Sequence, residues 1–104
     1  MRATKDAILS YLGELKEELR KEGIVELGLF GSYARGEAGV YSDIDIAIKR
    51  DEAYLKEHSA YEYFTLLDGV KSKISARFHR QSDLFDLGSD SSMKENVLKD
   101  LIYV

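Results

Sequence analysis

Between Leu27 and Arg50 the chain reads LGLFGSYARGEAGVYSDIDIAIKR. Gly31 and Ser32 close a short apolar run, and after ten further residues Asp43 and Asp45 flank a single isoleucine. Strand side chains alternate, so these aspartates project to one side with Cα atoms about 6.5 Å apart. Left unpaired, each carboxylate raises the pKa of the other and weakens the fold. A hard divalent cation removes that penalty, because magnesium takes oxygen ligands, commonly one or two carboxylates together with phosphate oxygens. Gly31 allows close backbone approach. Ser32 and the neighbouring N–H groups, at what reads as the start of a helix, offer the donors that phosphate needs. A phosphate cradle beside a magnesium platform describes a nucleoside triphosphate site.

Other readings of the same residues fail on spacing. An isolated Asp-x-Asp is often only a solvated surface pair. A calcium loop beginning at Asp43 would need glycine at Ile48 and glutamate at Tyr54. A Walker loop would need Lys-Ser or Lys-Thr where the chain has Ser32-Tyr33. Gly28 and Gly31 are too sparse for a dinucleotide fingerprint. What remains specific is the combination of strand, Gly-Ser, gap and Asp-x-Asp on a second strand.

The elements that must hold these residues follow from periodicity. Ile8, Leu12, Leu15 and Leu19 recur at helical spacing from about Thr4 to Glu22, with Gly23 as a C-terminal stop. Ile24–Phe30 reads as a buried strand, SYARGEA as a short helix, and Asp43–Lys49 as a strand that turns Ile44, Ile46 and Ile48 to one face. Ser59 and Glu62 form a capping-box pair before Phe64, Leu67, Val70, Ile74 and Phe78, a long helical stripe. Ser82–Gly88 is a third strand. Ser92 and Glu95 repeat the capping pattern before a last helix through Val97, Leu98 and Leu101. The order α-β-α-β-α-β-α predicts an α/β fold, a two-layer sandwich with helices on a small mixed sheet of three to four strands.

Bulk properties narrow the setting. The 104 residues are expected to form one domain spanning 1–104. A net charge of −4 supplies no general footprint for nucleic acid or an anionic membrane. There is no cysteine, which removes disulfides and thiolate metal sites. No apolar run spans a bilayer and MRATKDAILS lacks a signal-peptide core, so a cytoplasmic location is expected. His58 and His79 stand alone in polar surroundings and read as surface residues. Tyr41 borders the motif, either packing its loop or stacking on a base.

The segment from Leu27 to Arg50 resembles the nucleotidyltransferase superfamily that includes DNA polymerase β, and most of all its small minimal nucleotidyltransferase (MNT) branch. Gly31, Ser32, Asp43 and Asp45 match the family's signature without insertion, and Ala34–Gly36 and Ser42–Asp43 match its surroundings. The closing stretch LFDLGSDSSMKENVLKDLIYV is similar to the family's final strand and helix. The match implies a nucleotidyltransferase fold and makes Asp86 the third carboxylate. Asp83 is the alternative, on the opposite side of the strand.

By that resemblance, two Mg2+ ions about 3.5–4 Å apart serve an in-line displacement at the α-phosphate. Asp43 and Asp45 bridge both ions, and Asp86 holds the one at the attacking hydroxyl or takes its proton. Gly31 and Ser32 bind the β,γ-phosphates. Arg35 either reaches those phosphates or pairs with a carboxylate. The implied reaction is transfer of a nucleoside monophosphate, AMP from ATP. Since 104 residues leave no acceptor domain, the acceptor is a partner macromolecule or is held with another subunit. MNT proteins pair with a helical HEPN protein, so an antitoxin that adenylylates a HEPN ribonuclease is the first expectation, with a homodimer as the other assembly. The rival is a non-catalytic nucleotide-binding module that neutralises the helical partner by contact alone.

Overall fold

A computed structural model describes residues 2–104. The helix α1 (Lys5–Lys21) starts where Thr4 accepts a hydrogen bond from the Ala7 N–H at 3.1 Å, which satisfies one of the unpaired donors of the first turn. Gly23, at φ 92°, turns the chain into β1 (Ile24–Phe30). The short α2 (Gly31–Arg35) follows directly, and β2 (Ile44–Arg50) runs back antiparallel to β1. Beyond it come α3 (Glu52–Glu57), α4 (Ala60–Phe78), β3 (Ser82–Asp86), α5 (Lys94–Asp100) and β4 (Ile102–Tyr103). The four strands lie in the order β3-β2-β1-β4, with β3 parallel to β2 and β4 antiparallel to β1.

The sheet has unequal faces. On one face Ile44, Ile46 and Ile48 of β2 and Leu27 and Leu29 of β1 are buried against the α1 stripe and against Val70, Ile74 and Phe78 of α4. On the other, Ala47, Leu87 and Val97 form a small cluster with Phe30, Phe85 and Leu101. The alternation expected of β2 is therefore present, with Ala47 buried under α5 on its second face. That patch is narrow, and next to it Asp45 faces the same way.

Several elements depart from the sequence pattern, each for a local reason. Asp51 caps a helix of its own, α3, by accepting from the Ala53 N–H at 3.1 Å. β4 is only two residues long, too short for any periodicity, and exists because Gly28 and Leu29 leave an edge for it. Ser59 does cap α4, accepting from the Glu62 N–H. Ser92 does not cap α5; that helix starts at Lys94 with no side-chain cap, and Ser91 instead accepts from the Met93 N–H. Leu101 is extended and lies outside the last helix. In α4 it is Tyr63 that turns inward, while Phe64 is 61% exposed, because the Tyr63 ring lies against the Arg50 guanidinium and its hydroxyl reaches Asp86. No helix among the described residues is long and apolar enough to cross a membrane.

The two Ser-x-x-Glu sequences are thus physically different. Ser59→Ala should cost about 1 kcal/mol. Ser92→Ala should stay within about 0.5 kcal/mol of the parent. Urea unfolding of the two variants checks both values.

Candidate active site

Gly31 is the junction between β1 and α2, with φ 75°. A Cβ there would overlap the Asp45 carboxylate, so the absence of a side chain lets Asp45 lie against the start of α2. Cross-strand pairing brings the rest together. Asp45 is opposite Phe30 of β1 on one side and opposite Asp83 of β3 on the other. Paired residues on neighbouring strands share a face, so Asp83 points the same way as Asp45. Asp43, two residues earlier, precedes the strand with the same parity and is exposed.

The consequence is electrostatic. Asp45 is half-buried, and its pKa is raised, first by desolvation, then by the charge of Asp83 and that of Asp43, with Arg35 acting in the opposite sense. Beside it a cavity of about 360 Å3 is lined by Gly31, Ser32, Arg35, Asp45 and, from α5, Asn96 and Asp100. Arg35 donates from Nη1 to Asp100 at 2.7 Å and from Nε to Glu37 at 3.0 Å, joining α2 to α5 across this cavity. Arg35 thus pairs with two carboxylates.

Asp86 does not join the group. It is opposite Ile48 and therefore faces α4, on the other side of the sheet from Asp45. One oxygen pairs with Arg50 Nε at 2.8 Å and accepts from the Tyr63 hydroxyl at 3.2 Å; the other accepts from the Gly88 N–H at 2.8 Å. Burial and the Asp86 charge push the Tyr63 hydroxyl well above the usual phenol range. A carboxylate bound by three donors there ties α4 to the sheet. Of the two β3 aspartates, Asp83 is the one that shares the face of Asp45.

Sequence reasoning also missed Asn96 and Asp100, whose approach depends on where α5 docks. Tyr41 packs against nothing: it is 96% exposed. His58 stacks on Tyr54 with ring centroids 3.9 Å apart, and His79 ends α4 in a left-handed conformation; both lie apart from the carboxylates.

The donors suit a hard divalent cation, since they are all oxygens and Asp45 carries an uncompensated electrostatic penalty. As they stand, no three Asp, Glu, His or Cys side chains among the described residues are gathered closely enough to hold an ion. Asp43 and Asp83 are exposed, and exposed side chains exchange rotamers within picoseconds to nanoseconds.

A sheet end carrying Gly-Ser and grouped carboxylates is the site of a nucleotidyltransferase fold. The nucleotidyltransferase domain model matches residues 12–104, and the chain belongs to that family. It is 36% identical over 108 residues to protein adenylyltransferase MntA of Thermococcus cleftensis, covering 97% of this chain and 96% of that one. Among solved structures, the chain superposes on the toxin–antitoxin MntA–HpeT carrying the mutation D39ED41E with a TM-score of 0.62 at 20% identity, covering 97% of this chain and 72% of that one. A toxin–antitoxin crystal structure with AMP-PNP gives a TM-score of 0.58 at 24% identity, covering 88% and 69%. The two structures bear on the fold alone.

The raised pKa of Asp45 has a stability consequence. The folded state holds the Asp45 proton to higher pH than the unfolded chain does, so stability falls as pH rises through the interval between the two pKa values. Above that interval the penalty is complete. Without divalent metal, Asp45→Asn should therefore raise Tm by a few degrees at pH 7. Below about pH 3.8, where the wild-type side chain is neutral even when unfolded, the gain should disappear. Thermal melts across pH in chelator check both limbs.

Proposed function

We propose that this chain is a protein adenylyltransferase that moves AMP from ATP onto a hydroxyl of a partner protein, the partner being the helical HEPN-type toxin of a toxin–antitoxin pair. The observation that carries the reading is the pairing of Asp45 with Asp83 on the face that also bears Asp43, with the Asp45 carboxylate seated on Gly31. The relative from Thermococcus cleftensis is named a protein adenylyltransferase, and two structures of the same fold are toxin–antitoxin complexes; both support the choice of reaction and partner.

In this reading Asp43, Asp45 and Asp83 hold two magnesium ions. When bound, magnesium neutralises triphosphate charge and makes the attacking hydroxyl more acidic. The Ser32 hydroxyl and the backbone at Gly31 hold the β,γ-phosphates, which leave as pyrophosphate. The acceptor oxygen forms its bond to the α-phosphorus as the bond to the pyrophosphate oxygen breaks, and Asp83 takes the hydroxyl proton. Arg35, held by Glu37 and Asp100, keeps α5 over the cavity and reduces the negative field on Asp45. Asp86 holds α4 to the sheet and takes no part in transfer.

The two aspartates of β3 separate this reading from the family match. With ATP labelled at the α-phosphate, magnesium and the partner, Asp83→Asn should reduce label transfer roughly 100-fold or more while leaving folding intact. Asp86→Asn should retain transfer but lose about 1–2 kcal/mol of stability, because Arg50 and Tyr63 lose their charged acceptor. The opposite pattern would return the role to Asp86. If wild type transfers no label while still inhibiting the partner, the reading as an enzyme fails.

A further inference from the structure

A second cavity, of about 690 Å3, opens at the same end of the sheet as the carboxylates. Its walls are the start of α1, the turn after α2 and the segment that leads from α4 into β3. Arg2, Lys5, His79 and Arg80 line it, beside Tyr33 and Val40. No carboxylate does. None of these four basic residues is in an ion pair among the described residues, although the chain as a whole carries −4. Arg80 Nε is buried with no hydrogen-bond partner, an arrangement that costs free energy until an acceptor arrives. The N-terminal end of α1 adds its partial positive charge to the same cavity.

The segments that wall this cavity run on into the carboxylate site. Arg80 lies three residues before Asp83, and the Gln81 carbonyl accepts from the Ile44 N–H, tying that segment to β2 next to Asp43 and Asp45. Gly39 and Ser42 close a turn that carries Val40 and Tyr41 between the cavity and Asp43. These two side chains are 71% and 96% exposed. A large, bare apolar pair at the mouth of a cationic cavity suits a partner with both apolar and acidic groups.

We propose that this cavity docks an acidic segment of the acceptor protein, so that the hydroxyl next to that segment reaches Asp83. The proposal rests on the adenylyl-transfer reading for its functional sense but concerns a separate surface. A polypeptide suits the surface better than a nucleic acid does. The cavity gathers only four basic residues in a chain that is acidic overall, whereas a phosphate backbone needs a continuous basic track. Val40 and Tyr41 offer apolar contact that a protein can cover.

The test uses two fluorescent peptides, a tyrosine flanked by glutamates and the same peptide with glutamines, and a short single-stranded oligouridylate. Anisotropy titrations compare the wild type with Arg2→Glu/Lys5→Glu, two exposed changes whose folding is checked by circular dichroism. The glutamate peptide should bind about tenfold more tightly than the glutamine peptide, the sum of a few exposed ion pairs. The double variant should lose that preference while its ATP affinity, measured by calorimetry, stays unchanged. Equal binding of both peptides, no binding of the glutamate peptide, or an unaltered preference in the variant would overturn the proposal. So would tighter binding of the oligouridylate through the same two residues. Label transfer from ATP is read in the same samples. Charge-dependent docking without transfer leaves this surface standing and removes the adenylyltransferase reading; transfer to both peptides alike does the reverse.

Discussion

Partial burial of Asp45 beside other carboxylates at one end of the sheet is the constraint on which the rest of the structure depends. Asp45 lies on β2 between two strands that are each paired to it, so its backbone cannot move away from Asp83 or from Gly31 without breaking the ladder. Its pKa is raised, by burial first and by the neighbouring carboxylates next, so holding it there costs the fold stability once it ionises. A chain under selection for stability alone would place a neutral residue at this position. Local conflicts of this kind concentrate at functional sites, because the interaction that resolves them comes from a ligand.

The neighbouring strand β3 supplies the contrast. Asp86, one face over, has every feature that Asp45 lacks: a guanidinium at 2.8 Å, a phenol hydroxyl and a backbone N–H. Its environment is complete without a ligand, and the Arg50 guanidinium over the Tyr63 ring, 4.1 Å from its centroid, extends the network into α4. Two aspartates three positions apart thus divide the work. One is satisfied and ties a helix to the sheet, and the other is exposed beside a strained neighbour. Residue type does not distinguish them; the number of donors around each does.

That difference explains how far the chain could be read before its structure was known. Gly31, Ser32, Asp43 and Asp45 were legible because their relations are local: a strand end, a fixed gap and a two-residue alternation. The Ile44, Ile46, Ile48 face and the α1 stripe were legible for the same reason. The choice between Asp83 and Asp86 was not, because it depends on the register of β3 against β2, and an odd offset along a strand changes the face. The inward turn of Tyr63 instead of Phe64 was hidden too, since neighbouring positions on a helix differ by about 100° and the deciding contact, Arg50, lies on another element. Asn96 and Asp100 reach the site only through the docking of α5, and β4 is too short to leave any periodic trace.

The charge distribution then acquires a direction. At one end of the sheet the carboxylates occupy the face covered by α5, and Arg2, Lys5, His79 and Arg80 occupy the margin beside α1 and the end of α4. Opposite charges separated across a few residues of chain make a local field that the small net charge conceals. Such a field orients an incoming partner before contact and discriminates against partners of the wrong polarity. A ligand that brings cations to the carboxylates removes the negative half of this field and leaves the basic half unopposed. Binding of divalent cations and attraction of an acidic acceptor would then reinforce each other without any movement of the backbone, because both act through the same electrostatic balance at the end of β2 and β3.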